Sequence, residues 1–136
     1  MKYQFEECIG SRVRSMSRKI DSIYRKHLNN SGVTENQLSI LMALYKTGKI
    51  EQKNIGLILN LEKSSLSRNL IRLISSNFIK KNGPANRPSI KLTSKGKTKV
   101  DELTPYWESA MEEIHLFISD NDLNTLKIVE EKINNL

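Results

Sequence analysis

The chain is poor in the residues that build catalytic and metal centres. In 136 residues it has one cysteine, Cys8, two histidines, His27 and His115, and one tryptophan. A single thiol forms no intramolecular disulfide, so the fold must rest on packing alone. The two histidines and Cys8 stand apart from one another, without the close spacing of a zinc-type ligand set, and no metal is expected. The six glycines do not gather into a phosphate-cradling loop. The acid pairs Glu6-Glu7, Glu112-Glu113 and Glu130-Glu131 fall on helical stretches. Neighbours on a helix point about 100° apart, so these pairs do not face each other as an acid and a base would. The reading is therefore of a chain that is no enzyme and carries no cofactor. No apolar run approaches the length of a membrane span. The first residues lack the basic-then-apolar form of a signal peptide. Together these features predict a soluble, cytoplasmic protein without a membrane partner, long enough for one domain with a real core.

Acidic residues are the most telling scarcity. From Glu62 to Lys99 there are ten basic residues and one acid, Glu62 itself. The rest of the chain holds twelve basic and fourteen acidic residues. A basic excess confined to one stretch is the footprint of a surface that meets a polyanion. A membrane surface would attract it too, but an interfacial anchor would collect its basic residues on one long amphipathic helix, and these are dispersed.

What is present reads mainly as helix. Phe5, Ile9, Val13, Met16, Ile20, Ile23, Tyr24 and His27 recur at three or four, which predicts one long helix from about Phe5 to Leu28 with a narrow, heptad-like stripe. Asn29-Asn30-Ser31-Gly32 breaks it. Thr34 and Gln37 have the spacing of a capping box, with Val33 as its staple. The helix they open carries Leu38, Leu41, Met42 and Tyr45 inward and ends at Gly48, read as a left-handed cap. Ile50 reads as extended. A short helix follows from about Glu51 to Leu59, with Ile55, Ile58 and Leu59 inward.

After the tight connection Asn60-Leu61-Glu62 comes the helix around which the chain is organised. Leu66, Leu70, Leu73 and Ile74 form its apolar stripe. Ser64, Ser65, Arg68, Arg72 and Ser75 take the opposite side. Short hydroxyls and guanidinium forks with no acid suit DNA, because serine approaches bases or phosphates closely and arginine bonds guanine bidentately. Lys63, Ser64, Ser65, Ser67, Arg68 and Arg72 are the candidates for the major groove and its phosphates. Short helix, brief turn and longer helix with a polar outer face make a helix-turn-helix pattern. Residues 78–81 and 89–92 then read as a β-hairpin over a turn rich in glycine, proline and asparagine. Asn86 and Arg87 lie near its tip, where a guanidinium can enter a narrow minor groove. Thr93 caps a further helix, which Pro105 interrupts as a donor. Ser119 and Asp122 cap the last one, whose stripe is Leu123, Leu126, Val129, Ile133 and Leu136.

The order of these pieces resembles the MarR family of bacterial regulators. The residues that carry the likeness are Val33-Thr34-x-x-Gln37-x-x-x-Leu41, Ile55-Gly56-x-x-Leu59, Leu61-Glu62-Lys63-Ser64-Ser65-Leu66-Ser67-Arg68-x-Leu70-x-x-Leu73 and Leu92-Thr93-x-x-Gly96. Pro105-x-Trp107 is similar to one branch. The resemblance implies a mainly α fold with a small β wing: a winged helix-turn-helix at about 31–99 inside one domain spanning 1–136. Residues 1–30 and 100–136 would be dimerisation helices. It also implies a homodimer on a pseudo-palindromic operator in double-stranded DNA, acting as a repressor of a nearby operon and relieved by a small, often aromatic, effector. One place departs from the family pattern. Ala85-Asn86-Arg87 stands where an Asp-x-Arg pair is usual, which leaves Arg87 without the acid that would hold it.

Phe5, Ile9, Val13, Trp107, Leu126 and Ile133 are the candidates for the dimer interface. Met16, Ile20, Tyr24 and Trp107 are candidates for an effector pocket, although the same spacing serves plain core. Some relatives sense oxidants through a cysteine in the first helix. Here Glu6 and Glu7 oppose ionisation of Cys8, while Arg12 favours it, so redox sensing stays open beside a structural thiol. Two further readings remain: a winged helix that binds protein, without an operator, and a sequence-tolerant architectural DNA binder.

Overall fold

A local signal fixes the start of the second helix. The Thr34 hydroxyl accepts from the Gln37 backbone N–H at 3.3 Å, and the Gln37 side-chain carbonyl accepts from the Thr34 N–H at 3.2 Å. This reciprocal pair satisfies two backbone donors that a helix end leaves open. In the computed structural model, which describes residues 1–136, the elements in order are α1 (Ile9–His27), α2 (Glu35–Thr47), β1 (Ile50–Glu51), α3 (Gln52–Leu59), α4 (Lys63–Ser75), β2 (Ile79–Asn82), β3 (Ser89–Leu92), α5 (Ser94–His115) and α6 (Asp120–Asn134). The chain is mainly helical, with one antiparallel sheet in the order β1-β3-β2. It divides into two units, Leu28–Pro105 and the pair of segments Met1–His27 with Tyr106–Leu136.

The unit 28–105 has its own core. Leu38, Ile40, Leu41 and Leu44 of α2, Ile55 of α3, Leu66, Leu70 and Leu73 of α4, and Ile79 and Ile90 of the sheet are all buried, as are Val100 and Leu103 of α5. Each such side chain contributes roughly 1.5–3 kcal/mol when removed from water. The inward face of α2 is not quite the expected one. Ile40 and Leu44 replace Met42 and Tyr45, and Tyr45 is 50% exposed. Ile58 of α3 and Ile74 of α4, both expected inside, are 59% and 40% exposed. α2 is covered by α3, α4 and β3, so its buried face is wider than one stripe. α3 packs against α2 and β1, and α4 against α2 and β2, and their apolar positions farthest from those neighbours remain in water.

Three short links close this unit. Ile50 and Glu51 pair with Ile90 and Ser89, and the Gln52 N–H donates to the Pro88 carbonyl at 2.9 Å. Gly48 ends α2 at φ 83°, ψ −131°. That conformation lies outside the left-handed helical region expected for the cap, and a side chain would strain it. Thr93 joins the end of α4 to the start of α5. Its hydroxyl donates to the Asn77 carbonyl at 2.6 Å and accepts from the Gly96 N–H at 3.0 Å, and its own N–H donates to the Phe78 carbonyl at 3.0 Å. A Cβ on Gly96 would stand 2.0 Å from that same Phe78 oxygen. The Leu92-Thr93-x-x-Gly96 pattern is thus a point of close backbone approach.

The other unit has a different character. The single helix expected from Phe5 is two pieces: a 3-10 turn at Phe5–Glu7 and then α1 from Ile9, with Cys8 extended between them. The turn is held by its own ends, since the Glu7 carboxylate accepts from the Gln4 N–H at 2.6 Å. Ala110 is its one fully buried apolar residue, whereas Phe5, Ile9, Val13, Met16, Phe117, Leu126, Val129 and Ile133 are between 44% and 76% exposed. Polar contacts tie α1 to α5. The Tyr24 hydroxyl donates to Met111 Sδ at 3.0 Å, and burial, then the Asp21 charge, raises its pKa. Glu113 takes a hydrogen bond from Lys26, with His27 Nε2 at 3.4 Å. Lys26 holds the Glu113 carboxyl below the usual range, against the opposing effect of burial and with help from His27.

Candidate nucleic-acid interface

The turn before α4 is made by Asn60, left-handed at φ 51° and ψ 43°. Asparagine tolerates that conformation better than most residues. The Leu61 N–H then donates to the Gly56 carbonyl at 3.0 Å, and α4 begins at Lys63. Leu66, Leu70 and Leu73, all under 5% exposed, seat one side of α4 in the core. Periodicity then fixes the opposite side. Lys63, Ser64, Arg68 and Arg72 are exposed, and Ser65 and Ser67 are half-buried at its flanks. The structure therefore places Ser64, Arg68 and Arg72 on the exposed side of α4, Lys63 exposed at its first turn, and Ser65 and Ser67 at the edges of that side.

Two residues set the aim of this helix: Gln37, expected only as part of the capping box, and Asn69, not singled out in the sequence. Gln37 is only 5% exposed. Besides its capping bond, its side-chain amide donates to Asn69 Oδ1 at 3.3 Å. Asn69 in turn donates to the Ser65 carbonyl, one turn back, at 3.0 Å. This polar clasp fixes the rotation of α4 against α2, which leucines alone would leave looser. The available signal was an asparagine in mid-helix, where it costs propensity unless it has a partner. At the far end of α4, Lys95 Nζ donates to the Ser76 carbonyl at 3.0 Å. A cation there complements the negative end of the helix.

The hairpin forms as expected, with Asn82 opposite Ser89 and Ile79 opposite Leu92. Its first strand starts one residue later than expected, and the Phe78 N–H is still held by the Leu73 carbonyl of α4 at 3.0 Å. The Arg87 N–H donates to the Pro84 carbonyl at 3.0 Å, closing the tip. One expectation is corrected here. Arg87 does have an acid: its Nη2 lies 2.9 Å from Glu51 Oε1. That partner lies 36 residues away in sequence, on a strand of two residues, so no local motif could show it. Asn86 is exposed and lines a groove of about 760 Å3 between the wing and the α3–α4 turn, with Lys53, Asn60 and Lys63.

The remaining candidates do not form one site. Met16 lines a shallow cleft with Phe5, Cys8 and Arg12, which Ile20, Tyr24 and Trp107 do not line. Tyr24 is engaged with Met111, and Ile20 and Trp107 are half-buried. Cys8 is exposed. Arg12, the residue that would favour its thiolate, gives a hydrogen bond to the Glu6 carbonyl at 3.0 Å. A separate groove of about 750 Å3 runs between α2 and the start of α5, past Met42, Lys46, Val100 and Thr104. The Tyr45 hydroxyl donates to Asp101 at 2.8 Å on its edge. That bond, then the Asp101 charge, raises the Tyr45 pKa. No group of three His, Cys, Asp or Glu side chains is placed to hold a metal ion. No helix is long and apolar enough to cross a membrane.

Residues 33–84 match the sequence model of the MarR family. Among curated proteins, none matches the chain. Solved structures are similar over nearly the whole length. BpsR of Bordetella bronchiseptica, whose DNA binding is regulated by 6-hydroxynicotinic acid, is 17% identical with a TM-score of 0.86, covering 98% of both chains. PcaV of Streptomyces coelicolor, solved with its natural ligand, is 14% identical with a TM-score of 0.84, covering 98% of this chain and 96% of its own. A mutant MarR of E. coli, solved with operator DNA, is 20% identical with a TM-score of 0.81, covering 96% and 98%. At such identities the likeness is one of fold. Residues 33–84 are thus similar in sequence to the MarR family, and nearly the whole chain has the winged helix-turn-helix fold seen in these solved structures.

Proposed function

We propose that the protein is a homodimeric, sequence-specific DNA-binding transcriptional regulator. The observation that carries this reading is the outer side of α4. Ser64, Arg68 and Arg72 stand exposed on a helix whose rotation is set by three buried leucines and the Gln37–Asn69 clasp. Around it, residues 62–99 hold ten basic residues to one acid. In this reading α4 enters the major groove. Arg68 and Arg72 offer forks to guanine or phosphate, and the serines and Lys63 meet the backbone. Asn86 and Arg87 of the wing reach the adjacent minor groove. Two copies, joined through the exposed apolar side chains of α1, α5 and α6, present two such helices to the two halves of a pseudo-palindromic operator. Acting there, the protein represses a nearby operon. A small, possibly aromatic, molecule that favours a dimer unable to span both half-sites relieves it.

The test is selection of bound duplexes from random DNA at near-physiological salt. The expected result is an inverted repeat with half-sites about one helical turn apart. Enrichment without a motif would instead make the protein a sequence-tolerant DNA binder. No enrichment, with folded protein, would overturn the DNA reading in favour of a protein partner. Salt gives a second check. Phosphate-driven binding falls with a log–log slope of about −0.9 per contacted phosphate, and an apolar protein interface shows little slope.

A further inference from the structure

The Glu51 side chain is in an unusual position for an acid. It is the residue before α3, where a polar side chain would ordinarily accept from the first-turn N–H groups, yet it makes no such bond. Its carboxylate instead reaches the wing and takes the Arg87 Nη2 donor at 2.9 Å. The backbone on both sides of this contact is fixed. Glu51 pairs with Ser89 in the sheet, and Gln52 holds the Pro88 carbonyl. Arg87 is tied to the Pro84 carbonyl, and the proline that follows it restricts its own backbone to extended conformations. With the backbone anchored at both ends, the remaining freedom is that of the long arginine side chain. Glu51 removes part of it. Arg87 is 69% exposed and Glu51 31% exposed at the side chain, so the other guanidinium donors stay open to a ligand.

We propose that Glu51 is the positioning residue of the wing, holding the Arg87 guanidinium pre-aimed for the DNA minor groove. This rests on the DNA-binding reading above. It makes a claim that simple electrostatics reverses. Deleting an acid from a surface that meets a polyanion raises affinity. Deleting a residue that pre-orders the contacting arginine lowers it, because the side-chain entropy must then be lost on binding.

The experiment is a set of anisotropy titrations on the duplex chosen by selection, with wild type, E51Q, R87A, the E51Q/R87A double variant and E51D, and with thermal unfolding as a check of folding. E51Q is expected to weaken binding about five- to tenfold and to lose preference for A·T pairs under the wing, where a narrow groove attracts an arginine. In the R87A background the same change should have less than a twofold effect, or tighten binding. E51D keeps the charge but is shorter by one methylene, and it should weaken binding several-fold, which charge alone does not explain. If wild type binds while E51Q binds equally or more tightly, or E51D binds like wild type, the positioning role is overturned and the DNA reading stands. If wild type selects no duplex, both fall together. E51Q losing affinity equally with and without Arg87 would also overturn the proposal, since Glu51 would then act on the fold.

Discussion

The two units use apolar side chains in opposite ways. In 28–105 most of the leucine and isoleucine closes into a core, although Leu57, Ile58, Ile71 and Ile74 stay exposed. In the unit of Met1–His27 and Tyr106–Leu136, α6 has no buried residue and α1 has none either. The stripe of α1 is as marked as that of α4, and that of α6 is weaker. Periodicity therefore reports which side of a helix is apolar, while burial depends on whether the chain itself supplies a cover. The difference teaches that the first unit covers its own apolar stripes, whereas the second leaves them in water. In the dimer proposed above, a second copy would cover that surface.

Four expected outcomes sharpen that contrast. The largest is for Gly96→Ala. Its Cβ would collide with the Phe78 carbonyl at 2.0 Å, and overpacking against backbone should cost about 3 kcal/mol or more. Urea unfolding would read it, and the loss should not depend on protein concentration. Next is Leu126→Lys. Leu126 is 57% exposed in the single chain, so a lone protomer should tolerate the change. If α6 lies in a dimer interface, the cost is about 1 kcal/mol in each copy, so about 2 kcal/mol in all and roughly thirtyfold in the dimer dissociation constant measured by sedimentation. An unchanged constant would remove α6 from the interface and break the contrast.

Third is Arg68→Ala, which should cost about 1–3 kcal/mol in DNA affinity if the side chain reads a base. Its unfolding curve should stay that of wild type, because the residue is exposed. Equal losses on every sequence would make it a phosphate contact. The smallest effect is a pH dependence in the α1–α5 contact. The Glu113 carboxyl is lowered by Lys26 and His27. A carboxylate lowered in the folded state contributes stability above its unfolded pKa, and that contribution is lost as pH falls through the folded value. Stability should therefore drop on acidification below the ordinary carboxylate range, and Glu113→Gln should flatten that part of the profile. An identical profile in the variant would show that the contact adds nothing in solution.

Much of the DNA-binding unit was legible in the sequence because its signals are local. The Thr34–Gln37 box, the Asn60 turn, the α4 stripe and the Ser119–Asp122 box each need only neighbours within one or two helical turns. The misassignments share another cause. Ile58 and Ile74 were placed inward by periodicity alone, but the width of a buried face depends on how many elements pack against it. The continuous first helix failed at Cys8, where the capping bonds of a 3-10 turn outcompete one more helical turn.

By itself, the sequence determined the helices and the hairpin, the side of α4 that faces water, and the concentration of positive charge on one third of the chain. Hydrophobic period, capping and net charge are properties of adjacent residues, and folding does not need to be known to read them. Only the tertiary structure decided that Gln37 clasps Asn69, that Gly96 admits the Phe78 carbonyl, and that Glu51 holds Arg87. Each of these joins residues between 18 and 36 positions apart through one hydrogen bond or one close contact. Which distant groups meet is set by how the elements pack, and no local pattern encodes it.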